Sequence, residues 1–166
     1  MNVHGVPFKL ETREELNGMA CKGNVLKLPA DCTYNRLYIL AAAASDKDVK
    51  GIFRVGKYVQ EVIVPSYTGF IGQWGHTGHT EGYLKDAEVA YVGTHRHSGE
   101  GDQPYEFTYM FKFAIDLPEK ATEVVLPDNK DIVIFAATLT DVAATSVCPA
   151  SELFRTANKC NRYQTE

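Results

Sequence analysis

The sequence predicts an all-β protein, a two-sheet β-sandwich of jelly-roll type, and three observations carry that expectation. Apolar residues recur with a period of two, turn residues separate the apolar runs, and helical spacing is confined to the C-terminal tail. Between Glu106 and Ile115, Phe107, Tyr109, Phe111, Phe113 and Ile115 fall on one face of an extended segment. Glu106, Thr108, Lys112 and Ala114 fall on the other, as in an antiparallel strand with one buried face. From Asp131 to Leu139 both faces are apolar, Ile132, Ile134 and Ala136 alternating with Val133, Phe135 and Ala137, which predicts a central strand covered on both sides. Phe111 and Ile134 are therefore expected to be almost fully buried.

The remaining strands are predicted at Val25 to Leu28, Tyr34 to Ala42, Val49 to Val55, Tyr58 to Val64, Ala87 to Gly93 and Thr122 to Leu126. Turn signals lie between them at Pro29-Ala30-Asp31, Ser45-Asp46-Lys47-Asp48, Pro118-Glu119-Lys120 and Pro127-Asp128-Asn129-Lys130. The sandwich is assigned to residues 3–145. A tail, 146–166, carries a short helix, with Ser151 as N-cap and Leu153, Phe154 and Ala157 at helical spacing.

Composition narrows the function classes. With 166 residues the chain has the size of one domain, and 45% hydrophobic against 23% charged residues is a globular balance. The net charge is −4 and basic residues stand singly, so no surface is expected to track a phosphate backbone, and nucleic acid is not an expected partner. The longest apolar patch, Leu37 to Ala44, is far shorter than the roughly 20 residues of a membrane-spanning helix, and no membrane span is expected. The first residues lack the basic and apolar regions of a secretory signal. Cys21, Cys32, Cys148 and Cys160 form no Cys-x-x-Cys, so a thiolate zinc site is not expected; disulfide bridging stays open.

Candidate binding residues concentrate between Gly69 and Gly101, a Gly- and His-rich stretch read as loops on a rigid scaffold. His95 and His97 are two apart, so on extended backbone both rings point to one side, close enough to share an ion or a pair of sugar hydroxyls. With Glu100 they suggest a cupin-like metal enzyme. The spacing departs from that pattern, since Val89 stands where a Gly is wanted and no His follows His97 to complete the set. Asp46 and Asp48 offer hard oxygen ligands for a structural calcium ion, the one cofactor under consideration. Trp74, beside Gln73, is either a core residue or a platform on which a pyranose could stack. No nucleophile elbow, P-loop, metalloprotease helix or dinucleotide fingerprint is present, so no catalytic residue is assigned.

An ordered set of short motifs adds a resemblance over roughly residues 3–140. The set comprises Cys21-x-Gly23, Leu28-Pro29, Gly72-Gln73-Trp74, Val89-Ala90-Tyr91, Thr94-His95-Arg96-His97, Gly101-Asp102, Tyr105-Glu106-Phe107-Thr108-Tyr109, Ile115-Asp116-Leu117-Pro118 and Leu126-Pro127-Asp128-Asn129. It resembles the C-terminal β-sandwich of bacterial α-mannosidase-like proteins of glycoside hydrolase family 38. The resemblance implies a galactose-binding-like jelly roll, an accessory domain that binds carbohydrate or buttresses a catalytic domain absent from this chain. It also implies a periplasmic or extracellular location. Gly75-His76-Thr77-Gly78-His79 departs from the polar residues usual after the Trp. The carbohydrate contacts expected from this reading are Gln73, Trp74, His76, His79, Tyr83, His95, His97, Asp102 and Tyr105.

Overall fold

A computed structural model of the chain describes residues 1–11, 17–30, 33–69 and 87–141. Gln73, Trp74, His76, His79, Tyr83, Cys32, Cys148, Cys160 and the expected tail helix lie outside the described residues, as does the Tyr105 side chain.

Twelve strands appear among the described residues: β1 (Asn2–Val3), β2 (Val6–Pro7), β3 (Met19–Ala20), β4 (Val25–Lys27), β5 (Arg36–Ala43), β6 (Val49–Val55), β7 (Tyr58–Val64), β8 (Thr68–Gly69), β9 (Glu88–Ser98), β10 (Gly101–Asp116), β11 (Glu123–Val125) and β12 (Ile132–Thr140). One sheet runs β3-β12-β5-β10-β8 with β9 added on β10, and the other runs β4-β11-β6-β7. Strands β3 to β6 alternate between the sheets, as do β10 to β12, and late strands slot between early ones. That interleaving is the jelly-roll order. Strands β6 and β7 have the bounds the alternation predicts.

The core lies between the sheets. Leu37, Ile39, Ala41 and Ala43 of β5 project into it with Ile115, Ile132 and Ile134, and meet Phe53, Val55, Val64, Val124 and Leu126 from the smaller sheet. Phe111 is 0% and Ile134 7% exposed, so the phase read from the sequence is correct at both. The sheets approach closely at Gly51, where a Cβ would meet the Ile132 Cδ1 at 2.8 Å. A larger residue there would have to displace a fully buried side chain.

Three expectations are corrected. The strand covered on both sides is β5, buried at every position after Arg36, whereas β12 is half-buried over much of its length and exposes Ala137. Strand β5 is central because β12 and β10 pair with its two edges, which leaves no backbone edge to water. In β12 the alternation breaks at a bulge: Ile134 pairs with Ala41 and Ala136 with Leu40, so Phe135 is the extra residue. Ala136 therefore packs on the outer face of the sheet and not beside Ile134. The third concerns residues 94–105, read as loop, which continue β9 and β10 as a long hairpin.

The hairpin of β1 and β2 is not signalled by alternation, being too short to show any. It turns at His4 (φ 48) and Gly5 (φ 85), two adjacent left-handed residues as a tight primed turn requires. Its Val3 and Val6, with Phe8, close over Tyr38 and Leu40 on the outer face of the larger sheet.

Candidate functional site

Two features of the larger sheet lie outside the core, and both follow from the side chains its strands present. Along β5, Tyr38, Leu40, Ala42 and Ala44 have the same parity and face outward. Tyr38 and Leu40 are covered by the N-terminal hairpin. Ala42 and Ala44 are too small to fill the same depth, and a groove of about 530 Å³ lies over them. Across the sheet Ala42 pairs with Val133, and Tyr91 pairs with Met110, so all four line one face. Tyr67, Thr108, Tyr109 and Phe135 complete the walls.

The wall rings are held from behind. Tyr109 stacks on Phe111 with centroids 5.8 Å apart and planes 20° apart, and burial pushes its phenol up to about 12. The Arg96 guanidinium lies 5.5 Å from the Tyr67 ring centroid and also reaches Glu106 at 3.3 Å. Gly93 lies under Thr108, whose Oγ1 would stand 2.2 Å from any Cβ at that position. Tyr91 differs from these in being 51% exposed, a ring presented to solvent at the rim. Tyr67, Tyr91 and Phe135 were not legible as a group: they come from three separate strands or connections, and the bulge at Phe135 hides its direction. The one available signal was Tyr91-Val92, adjacent large apolar residues on an edge strand.

Beside the groove, under the N-terminal hairpin, the Lys112 ammonium is buried. It lies 2.6 Å from Glu88 Oε1 and 5.4 Å from the Tyr38 ring centroid. That contact is an ion pair without the direction of a hydrogen bond, since Lys112 Nζ has no hydrogen-bond partner among the described residues. Glu88 Oε1 also meets His4 Nδ1 at 2.5 Å, so one carboxylate ties the hairpin to the sheet.

The second feature is at the far end of the β9–β10 hairpin. The two strands are joined through Gly99 and Glu100, with Ser98 opposite Gly101 (φ 112). The Ser98 hydroxyl donates to the Gly101 carbonyl at 3.0 Å and accepts from the Glu100 N–H at 3.2 Å. This register sets Asp102 directly across from His97. His95 Nε2 and His97 Nε2 are 3.4 Å apart, as the spacing of two on a strand predicts. The Asp102 carboxylate makes an ion-pair contact with His97 Nδ1. Among the described residues, His95, His97 and Asp102 are the one group of three possible metal ligands, with all donor atoms within 4.8 Å of one another.

The cupin-like set is corrected on two counts. Glu100 lies in the turn and is not in the cluster, its place being taken by Asp102. The cluster also sits on a projecting hairpin, whereas a cupin centre needs the interior of the sandwich, which here is filled by packed apolar side chains. Asp46 and Asp48 are in no ligand cluster among the described residues; the Asp48 carboxylate accepts the Ser66 N–H at 3.1 Å. Of the expected carbohydrate contacts, the structure brings together His95, His97 and Asp102, apart from the groove.

A family model described as AziU2-like beta-sandwich domain matches residues 1–143. The match agrees with the sandwich and gives no support to the α-mannosidase assignment. No curated protein matches the chain.

Proposed function

The chain belongs to the AziU2-like β-sandwich domain family, and within that fold we propose that it is a non-catalytic binding module whose outer-face groove takes one sugar ring. The observation that carries this reading is the groove itself, a hollow over Ala42 and Ala44 with a solvent-facing Tyr91 at its rim. A pyranose has one face of C–H groups and an edge of hydroxyls. Tyr91 offers the stacking surface, and the Tyr67 and Thr108 hydroxyls offer partners for the edge. The resemblance to α-mannosidase-like proteins favours a glycan ligand and an accessory role beside a catalytic domain; family membership by itself assigns neither.

One stacked ring with two or three hydrogen bonds supports only millimolar to high-micromolar binding, on the order of −4 to −6 kcal/mol, once the entropy of ordering is subtracted. Mannose and mannobiose should be titrated against the Met110 methyl and the tyrosine ring resonances. Saturable shifts that disappear in Tyr91→Ala are expected. No saturable shift at tens of millimolar, roughly the weakest affinity worth the name, would overturn the reading.

A further inference from the structure

We propose that His95, His97 and Asp102 form a binding site for a first-row divalent transition metal ion, zinc being the probe of choice, at the end of the β9–β10 hairpin. The site is separate from the groove and does not depend on what the groove binds.

An ionised carboxylate can only accept, so Asp102 against His97 Nδ1 favours the tautomer that carries its proton on Nδ1 and its lone pair on Nε2. That lone pair faces His95 Nε2 at 3.4 Å. The His95 ring is held at its other nitrogen, Nδ1, by the Thr94 hydroxyl at 3.1 Å. A hydroxyl can accept as well as donate, so Thr94 can take a proton from His95 Nδ1 and free a second lone pair on Nε2. Each imidazole is thus gripped at Nδ1, and both Nε2 atoms converge on one point. A carboxylate behind a metal-bound histidine is the usual outer-shell arrangement, fixing ring orientation and raising ligand basicity.

Distance supports the same conclusion. Two nitrogens each bound to zinc at about 2.0–2.1 Å in a tetrahedron stand about 3.3–3.4 Å apart. The His95 and His97 Nε2 atoms have that separation already. Their rings are nearly perpendicular, at 87°, so neither imidazole blocks the other's approach to a shared ion. Asp102 Oδ2, 3.8 Å from His95 Nε2, is near enough to become a third ligand while Oδ1 keeps His97 in place. The remaining positions open to solvent, where His97 is 78% and Asp102 60% exposed. Two imidazoles and a carboxylate select zinc, copper or nickel over magnesium or calcium, which prefer all-oxygen shells.

The test uses tag-free full chain and zinc alone, followed by the imidazole nitrogen resonances of His95 and His97 and by calorimetry. One equivalent of zinc is expected to shift both Nε2 signals, with no effect from magnesium or calcium. His95→Ala and His97→Ala should each weaken binding at least about tenfold, and Asp102→Asn about 10- to 100-fold, as for loss of an outer-shell partner. The double variant His76→Ala/His79→Ala should bind as the parent does. The His95, His97 and Asp102 side chains project from an exposed hairpin, so circular dichroism should be unchanged in those variants. Zinc binding that survives His95→Ala/His97→Ala, or His95 and His97 signals unmoved by excess zinc, would overturn the proposal.

Discussion

The two halves of the outer face of the larger sheet start from the same strand and end differently. Where β5 presents Tyr38 and Leu40, the face is filled, and the β1–β2 hairpin seals it with Val3, Val6 and Phe8. Where it presents Ala42 and Ala44, the same surface is hollow and lined by aromatic rings. The ladder bulges at Phe135 in the wall of the hollow, but along β5 itself the pairing is unbroken across both halves, and there the difference lies in side-chain volume. A few residues decide which half becomes structure and which becomes a place for a ligand.

The covered half holds the buried ion pair, so the largest effect is expected there. Glu88→Ala would leave Lys112 as an unpaired buried cation and should cost about 3–5 kcal/mol in urea unfolding. Lys112→Met in the same background should recover most of that loss, because no charge then remains to be paired. If Glu88→Ala proves harmless, the covered half is not held as described.

In the open half, Tyr109 gives a pH signature. Its folded pKa lies near 12 against the ordinary 10.0, so between those values the unfolded chain ionises first and gains stability relative to the fold. Stability present below pH 10 should fall through pH 12, by up to about 3 kcal/mol for a two-unit shift. Tyr109→Phe should flatten that part of the curve, a change readable by thermal unfolding at several alkaline pH values.

A smaller effect sharpens the contrast. Tyr91→Ala, at a half-exposed ring, should change stability by no more than about 0.5 kcal/mol. Ala44→Leu should fill the hollow and abolish any saturable ligand shift while leaving unfolding nearly unchanged. Should Tyr91→Ala unfold the domain, the ring is a structural prop and the open half is open in appearance only.

Legibility from the sequence follows the same division. Strands β6 and β7, each with one wet face, declare themselves by alternation, and so does the last two-thirds of β10, although Lys112 on the face read as wet is buried. The outer part of the β9–β10 hairpin does not, because Thr94-His95-Arg96-His97-Ser98 and Gly101-Asp102-Gln103-Pro104 form a ribbon without an apolar face. Pro104 is tolerated there because that stretch of β10 pairs only with β9. The proximity of His95 and His97 was readable from their spacing. The choice of Asp102 over Glu100 depended on hairpin register, which the turn sets and the spacing does not.

The bulge at Phe135 makes β12 sensitive to length as well as to composition. Ile134 and Leu139 are five positions apart and still face the same core, because Phe135 is the residue the ladder passes over. Deleting Phe135 would leave Ile134 opposite Ala41 and Ala136 opposite Leu40, a regular ladder with each side chain on its present face, whereas deleting Ala137 would turn Thr138 to Thr140 over, sending Leu139 outward and Thr138 into the apolar layer. Two sequences differing by the Ala137 codon would share nearly every side chain and yet specify incompatible sheets.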